Sequence, residues 1–192
     1  MFSRFPVTAI IALCCLAQLC LAQLNSRSVQ ADSIDVWIGT GGGTRKGIYH
    51  CILDSETGRL SQAQLVAEIS SPGFLAKHPS LPMIYAVGKL DGVDVVAAYR
   101  IEKGSSEEQN LDKKGKLDSG TKKKNSIRPK LTFVNSQPTG DGSGTHVAVD
   151  ASGKTLVTAQ YGGGSIAAFE LDGDGSLKEQ TTLTKHQGGS KV

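Results

Sequence analysis

The chain has 192 residues, a formal net charge of +3, 39% hydrophobic residues and 20% charged residues, which is ordinary for a folded globular protein. The small positive charge does not indicate binding to nucleic acid or to an anionic membrane surface, and the composition excludes disorder along the whole chain. The length fits one domain or at most two.

The first segment of the chain has the features of a secretory signal peptide. Residues 1–5 carry one basic side chain, and residues 7–22 form an uncharged apolar run that ends in Cys20-Leu21-Ala22, which supplies small residues for a signal peptidase. The sequence therefore predicts a signal peptide at residues 1–22, export to the periplasm or the cell exterior, and no stable membrane insertion after cleavage. The alternative is an uncleaved anchor, but the run is shorter than the ~20 apolar residues of a membrane span and contains Gln18.

Cysteine usage gives no indication of a disulfide framework or of a metal site. Three of the four cysteines fall in the predicted signal peptide, so the mature chain keeps only Cys51. Its place inside an apolar run predicts a buried strand residue and not a nucleophile. The acidic stretch that starts at Glu170 begins like a calcium loop but has Thr181 where a bidentate Glu is needed, and no residues have zinc spacing. We expect no metal and no cofactor.

Short apolar runs separated by turns rich in Gly, Asp and Ser follow a polar spacer at residues 23–33. This pattern, without a helical period, predicts an all-β protein, which could be a sandwich, a barrel or a propeller. In chain order, the predicted strands are Asp35–Gly39, Gly47–Leu53, Gln64–Ile69, Phe74–Lys77, Met83–Val87, Val93–Ile101, Leu131–Val134, His146–Val149, Leu156–Gln160, Ser165–Leu171 and Thr181–Leu183.

Internal repeats favour the propeller among these folds. The matching segments are Phe74–Val87 with His146–Ala159, Val95–Ile101 with Ser165–Leu171, and Gly47–Leu60 with Ser165–Leu177. The repeating unit is four antiparallel strands, which is one propeller blade of about 40–50 residues. We therefore predict a partial β-propeller of about three four-stranded blades over residues 34–192.

A charged insertion lengthens the second repeat. Residues 102–130 are rich in Lys, Glu, Asp, Ser and Gly and have almost no apolar side chains. Such a stretch cannot bury enough apolar surface to order itself, so we predict a solvated loop between two blade strands. The alternative is that the basic cluster Lys122–Lys124 attracts an anion or a polyanion.

The number of repeats is smaller than a closed ring needs. A closed propeller has at least about four blades, and the sequence holds about three. An open stack of blades leaves an unpaired strand edge and an uncovered blade face. We therefore expect the chain to be an N-terminal fragment of a larger propeller that is inactive and poorly stable alone.

Two segments resemble the propeller-type 6-phosphogluconolactonases: residues 37–60 resemble the first blade of that family and residues 146–177 the third. The most specific element is the link Tyr161–Ser165 followed by the turn Leu171–Leu177. The resemblance implies a seven-bladed fold when complete, hydrolysis of a sugar δ-lactone in the pentose phosphate pathway, and a small-molecule sugar lactone as partner. The family's Pro-His-x-His stretch would begin shortly beyond Val192.

Two other functions stay open on the sequence. One is a related propeller enzyme that cyclises a carboxymuconate, and the other is a non-catalytic exported propeller that binds a surface or cell-wall partner. Members of the resembled family are typically cytosolic, which the predicted signal peptide contradicts. The residues that would discriminate the three functions lie outside the printed chain.

The start of each innermost strand of a propeller lies at the face where ligands bind. His146 has this position, after the Gly-rich loop Thr139–Thr145, and we predict that it acts as a base or donates to a lactone or phosphate oxygen. The alternative is a histidine that only packs at the start of the strand. His50 and His78 are interpreted as structural, because one alternates inside a strand and the other lies in a turn.

The next loop of the same kind would follow the last predicted strand. By the argument used for His146, we predict that His186, Ser190 and Lys191 bind substrate. The alternative for these three residues is an ordinary solvated loop with no ligand.

Overall fold

A computed structural model describes residues 33–41, 47–104 and 129–188, and within these ranges the chain forms eleven β-strands and no helix. The strands are β1 (Ser33–Gly39), β2 (Ile48–Asp54), β3 (Gln64–Ala67), β4 (Ser70–Lys77), β5 (Met83–Leu90), β6 (Val93–Glu102), β7 (Lys130–Pro138), β8 (His146–Val149), β9 (Thr155–Gln160), β10 (Ser165–Leu171) and β11 (Leu177–Lys185). The predicted all-β fold is confirmed.

The strands form three antiparallel sheets, which we call blades 1, 2 and 3. Blade 1 has the order β1-β2-β3, blade 2 the order β4-β5-β6-β7, and blade 3 the order β8-β9-β10-β11. The predicted unit of four antiparallel strands is therefore confirmed in blades 2 and 3. Blade 1 differs, because only three strands are present among its described residues.

The pairing registers show that the three blades are copies of one another. The equivalent cross-strand pairs are Gly39 with Ile48 in blade 1, Val87 with Val96 in blade 2, and Ala159 with Ile166 in blade 3. The sequence repeats align Val87 with Ala159, and they align Ile48 and Val96 with Ile166. In consequence β1 corresponds to β5 and β9, the second strands of their blades, and not to the innermost strands β4 and β8.

The core lies between the blades, because each sheet presents apolar residues on both faces. Along β5, Met83, Tyr85 and Val87 face blade 3, whereas Ile84 and Ala86 face blade 1. All five side chains are at most 2% exposed. A short continuous apolar run is typical of a strand that is buried on both faces, and this burial explains why the run is not interrupted by polar residues.

Specific hydrogen bonds lock blade 2 to blade 3 in addition to the apolar contact. The Tyr85 hydroxyl donates to the carbonyl oxygen of Gly175 at 2.8 Å, and burial raises the pKa of Tyr85 to about 12, so the hydroxyl stays protonated. The Asn135 side chain donates to the Leu177 carbonyl at 2.7 Å and accepts from the Leu177 N–H at 3.1 Å. These bonds fix the register of one blade on the next.

His78 does more than form a turn. Its Nδ1 accepts hydrogen bonds from the backbone N–H groups of Ser80 at 3.1 Å and Leu81 at 2.9 Å, so its Nε2 carries the proton and donates to the Gly153 carbonyl in blade 3 at 3.0 Å. A Cβ at position 153 would lie 2.4 Å from this ring, and Gly153 has φ +72°. His78 is structural, as interpreted, and its role is to bridge two blades.

The structure refines some predicted boundaries. Glu102 and Lys130, the predicted ends of the charged insertion, are the last residue of β6 and the first of β7 and lie opposite each other. Residues 105–128 of the insertion, the predicted signal peptide at 1–22 and most of the predicted spacer lie outside the described residues. Cys51 is free and buried in β2, as predicted. No helix able to span a membrane occurs in the part of the chain that was described.

Two buried tyrosines of blade 2 provide a matched pair of substitutions. Tyr85→Phe removes the bond to Gly175 and leaves a buried carbonyl without a partner, so we expect the free energy of unfolding to fall by about 1–2 kcal/mol. The hydroxyl of Tyr99 is buried and has no hydrogen-bond partner among the described residues, and the equivalent residue of blade 3 is Phe169. Tyr99→Phe should therefore leave stability unchanged or raise it.

Urea unfolding of the two variants beside the parent chain measures the difference. Equal losses for both variants, or a larger loss for Tyr99→Phe, would contradict the assignment of the Tyr85 hydroxyl as a lock between blades.

Candidate active site

The innermost strands β4 and β8 lie side by side and begin at the same end of the blades. Phe74 of β4 pairs with Val87, and His146 of β8 pairs with Ala159, so the two residues hold equivalent positions in successive blades. Their ring centroids are 4.2 Å apart with an interplanar angle of 43°. We call this end of the blades, where β4 and β8 begin, the loop face.

His146 is exposed at the loop face, where its imidazole ring is accessible to a ligand. In the described part of the chain its side chain has no carboxylate partner, and its ring contact is with Phe74. The predicted position of His146 at the start of an innermost strand is therefore found. Phe74 was not predicted as a site residue, although the sequence repeats already aligned it with His146.

An apolar cavity of about 260 Å³ lies beside this pair. It is lined by Trp37, Gly39, Gly73, Phe74 and Leu75, and so joins the edge of blade 1 to the start of β4. The lining therefore consists of two aromatic side chains, the Leu75 side chain and the backbone of two glycines. A Cβ at Gly39 would lie 2.2 Å from the Pro72 carbonyl oxygen, so glycine is what lets β1 approach β4 this closely.

Trp37 is held in place by a histidine–carboxylate pair. The ring of His50 is 4.7 Å from that of Trp37, and its Nε2 is 2.7 Å from the Asp35 carboxylate. His50 is 3% exposed, whereas the Asp35 side chain is 57% exposed. His50 is buried in blade 1, and this placement supports its interpretation as a structural residue.

The Gly-rich loop Thr139–Thr145 leads into His146 and is fastened to blade 2 through Asp94. The Asp94 carboxylate accepts a hydrogen bond from the Ser143 hydroxyl and pairs with Lys89 at 2.7 Å. Lys89, followed by Ser143, holds the pKa of Asp94 below its usual range, so the carboxylate stays ionised. The Asp94 carbonyl also accepts the Thr139 N–H at 3.1 Å. The loop that leads into β8 is thus tied to a neighbouring blade.

Asp141 connects the same loop to the far side of blade 3. Lys185, at the end of β11, lies 2.8 Å from the Asp141 carboxylate and is the main cause of its lowered pKa. A Cβ at Gly163 would lie 2.2 Å from Asp141 Oδ2, so the link Tyr161–Ser165 packs directly against this carboxylate. The Gly-rich link, which is the most specific element of the family resemblance, therefore fits around a residue of the loop that precedes His146.

His186 lies at the loop face but not beside His146. Its backbone N–H donates to the Gly164 carbonyl at 2.9 Å, and its side chain is exposed. Within the described ranges, the His186 ring has no hydrogen bond or ring contact with His146. Ser190 and Lys191 lie outside the described residues, so their predicted role stays a prediction.

A larger cavity, of about 520 Å³, opens at the opposite end of the blades. It is lined by turn and strand-end residues of blades 2 and 3 that include His78, Lys154, Glu170, Asp172 and Lys178. Lys178 pairs with Asp172 at 3.2 Å and with Glu170 at 3.5 Å, and both imidazole nitrogens of His78 are hydrogen-bonded. None of the predicted site residues lines this cavity, so we place the candidate site at the loop face. No cluster of metal-ligating side chains was found in the ranges that the structure describes.

Residues 35–192 match the family described as "Lactonase, 7-bladed beta-propeller". The 6-phosphogluconolactonase of Bacillus subtilis is 32% identical over 146 residues, which are 76% of this chain and 35% of that protein. The solved structure of a periplasmic gluconolactonase from Pseudomonas aeruginosa has a TM-score of 0.62 and 22% identity, over 81% of this chain and 39% of that one. A structure from Bacteroides uniformis has a TM-score of 0.63 and 24% identity, over 83% and 40% of the two chains.

The two structural matches are distant in sequence and show the fold. The chain spans 35% of the length of the curated relative that it matches. The family match, by contrast, extends over nearly the whole of the described structure and includes the three blades. The chain therefore belongs to the seven-bladed β-propeller lactonase family.

Proposed function

We propose that the whole protein hydrolyses a sugar δ-lactone, with 6-phosphogluconolactone of the pentose phosphate pathway as the leading substrate. The observation that carries this proposal is the 32% identity to a 6-phosphogluconolactonase over 146 residues, together with membership of the lactonase family. Carboxymuconate cyclisation and non-catalytic binding were open on the sequence, and no observation favours either of them.

The reaction adds one water molecule across the bond between the lactone carbonyl carbon and the ring oxygen. His146 accepts a proton from the water as its oxygen attacks the carbonyl carbon, and the bond from that carbon to the ring oxygen then breaks. The ring oxygen takes up the proton, and the product is the open hydroxy acid. This role fits the exposed His146 ring at the start of β8 and the contact with Phe74, which limits the orientation of the ring.

Of the predicted substrate-binding residues, the structure describes His186, which lies at the outer part of the loop face. His186 is exposed there, next to the Gly-rich link, through its backbone bond to Gly164. We propose that His186, Ser190 and Lys191 contact the hydroxyl or phosphate groups of the substrate, because a lysine and two further hydrogen-bonding side chains suit an anionic sugar. The chemistry assigned to these residues requires no metal and no cofactor.

The proposed activity is tested on the whole protein with 6-phosphogluconolactone. His146→Ala should lower kcat/KM by about 100-fold or more, because a positioned general base contributes about 10²–10⁴ to the rate. Lys154→Ala, an exposed change at the opposite end of the blades, serves as the control and should leave the rate unchanged.

The possible failures of this experiment are distinguishable. If the unsubstituted whole protein leaves the lactone to open at its uncatalysed rate, the proposed function is wrong. If the protein is active and His146→Ala retains the full rate, the function stands and the role of His146 is wrong.

We also propose that the protein is exported, with a signal peptide at residues 1–22, a spacer at 23–33 and the propeller domain from residue 34 onward. Support comes from the apolar run in the sequence and from the P. aeruginosa structural neighbour, which is named as a periplasmic protein. N-terminal sequencing of protein from its natural source should find a chain that begins at Gln23. A chain that begins at Met1 in the soluble cytosolic fraction would contradict export.

A further inference from the structure

Three polar side chains of blade 3 are buried in a line that leads toward the loop face. Thr158 is fully buried, Gln160 is 1% exposed and Ser165 is 3% exposed. Thr158 and Gln160 are alternate residues of β9 and lie on one face of the sheet, and Ser165 pairs with Gln160 across the strands. A polar group at such burial destabilises the fold unless it is hydrogen-bonded, so each of these side chains needs partners.

The blade fold does not require polar side chains at these positions. In blade 2 the equivalent residues of Thr158, Gln160 and Ser165 are Ala86, Gly88 and Val95. Blade 2 forms the same four-stranded sheet with these three residues, none of which has a polar side chain. The polar residues of blade 3 therefore serve a purpose other than the packing of one blade on the next.

The Gln160 amide lies between the two hydroxyl groups, and its orientation can be decided from two distances. In the structure Nε2 is 2.6 Å from Thr158 Oγ1, and Oε1 is 3.2 Å from Ser165 Oγ. An O–H donor usually lies about 2.5–3.0 Å from its acceptor oxygen, and an N–H donor about 2.7–3.2 Å. The short distance therefore fits a hydroxyl that donates to an oxygen, and the long one fits a nitrogen that donates to a hydroxyl. Both distances favour the reversed amide.

The Asp141 carboxylate gives an independent reason for the same reversal. With the Ser165 hydroxyl turned to Gln160, Asp141 Oδ2 is buried without a hydrogen-bond partner among the described residues. A hydroxyl has one proton and cannot donate to both groups. Ser165 nevertheless lies close enough to help lower the pKa of Asp141 by a hydrogen bond, after the larger effect of Lys185. Reversal of the amide frees the Ser165 proton for Oδ2.

We propose that the three buried side chains form one directed hydrogen-bond chain that ends on the Asp141 carboxylate, and that Gln160 is a positioning residue for the loop face. The Thr158 hydroxyl donates to Gln160 Oε1, and Gln160 Nε2 donates to Ser165 Oγ. The Ser165 hydroxyl donates to Asp141 Oδ2. Every donor points toward Asp141, so the last acceptor must carry no proton, and an ionised carboxylate meets this requirement.

Asp141 connects this hydrogen-bond chain to two segments of the loop face. It belongs to the Gly-rich loop that precedes His146, and its ion pair of 2.8 Å with Lys185 reaches the end of β11. His186 follows directly in the sequence. A carboxylate that is held from below by Ser165 therefore fixes the Lys185 side chain and, with it, the start of the segment that carries His186.

The hydrogen-bond chain acts on substrate binding and not on proton transfer. His146 is held separately, because the N–H and the hydroxyl of Thr145 both donate to the Ala159 carbonyl, at 2.8 and 3.1 Å. The existence of the hydrogen-bond chain does not depend on lactone hydrolysis. Only its role in binding rests on the proposed function, in which His186 contacts the substrate.

Neutron diffraction from a deuterated crystal of the whole protein tests the orientation directly. We expect the two amide deuterons of Gln160 on the atom that faces Ser165, and the Ser165 deuteron directed at Asp141. Amide deuterons on the atom that faces Thr158 would overturn the proposal. In solution, an NMR titration should show that Ser165→Ala raises the pKa of the Asp141 carboxyl, because its hydrogen-bond donor is lost. An unchanged pKa would also overturn it.

The positioning role is tested by the kinetics of the whole protein with 6-phosphogluconolactone. Ser165→Ala and Gln160→Met should raise KM by about tenfold, the size of one hydrogen bond, and change kcat by less than about twofold. Lys185→Gln should do the same, whereas Lys185→Arg keeps a cation beside the carboxylate and should keep the parental KM. The matched control is Thr181→Val, which removes an exposed bond of 3.1 Å from Oγ1 to the Ala168 carbonyl.

The outcomes separate this role from the proposed function. A change in KM no larger than that of Thr181→Val, or a fall in kcat at constant KM, would overturn the positioning role of Gln160. A parent protein that leaves the lactone to open at its uncatalysed rate would overturn the proposed function instead. In that case the neutron and titration results still decide whether the hydrogen-bond chain exists.

Discussion

The structure depends on the apolar contact between successive blades. Each sheet has two apolar faces, and neither face is stable in water, so a blade needs a neighbour on each side. β5 illustrates the constraint, because Tyr85 and Ile84 are adjacent in sequence and lie in different cores. Blade 2 has both neighbours, whereas Val157 and Ile166 on the outer face of blade 3 are 38% and 40% exposed.

The same contact positions the candidate active site. Because blades 2 and 3 pack face to face in one register, their innermost strands β4 and β8 begin side by side, and Phe74 meets His146. The loop that precedes His146 is then fixed by charged groups of other elements, Asp94 in blade 2 and Lys185 at the end of β11. Because the site residues lie at the starts of packed strands, the packing of blade 2 on blade 3 holds them in a rigid arrangement.

Much of this architecture could be predicted from the sequence, because repeated segments of the chain fold into equivalent blades. The alignment of Phe74 with His146 already established their equivalent positions. Contacts between distant segments could not be predicted. The bonds from Tyr85 to Gly175 and from His78 to Gly153 join residues 90 and 75 positions apart. Trp37 and Phe74 line the same cavity only because blade 1 packs on blade 2.

Two neighbouring residues of β9 allow the most direct test of blade packing as the source of stability. Leu156 faces blade 2 and is fully buried, whereas Val157 faces away from it and is 38% exposed. Urea unfolding of the 192-residue chain should show a loss of about 2–5 kcal/mol for Leu156→Ala and of about 0.5 kcal/mol or less for Val157→Ala. Equal losses for the two substitutions would contradict the account, because they would mean that the two faces of blade 3 are buried to the same extent.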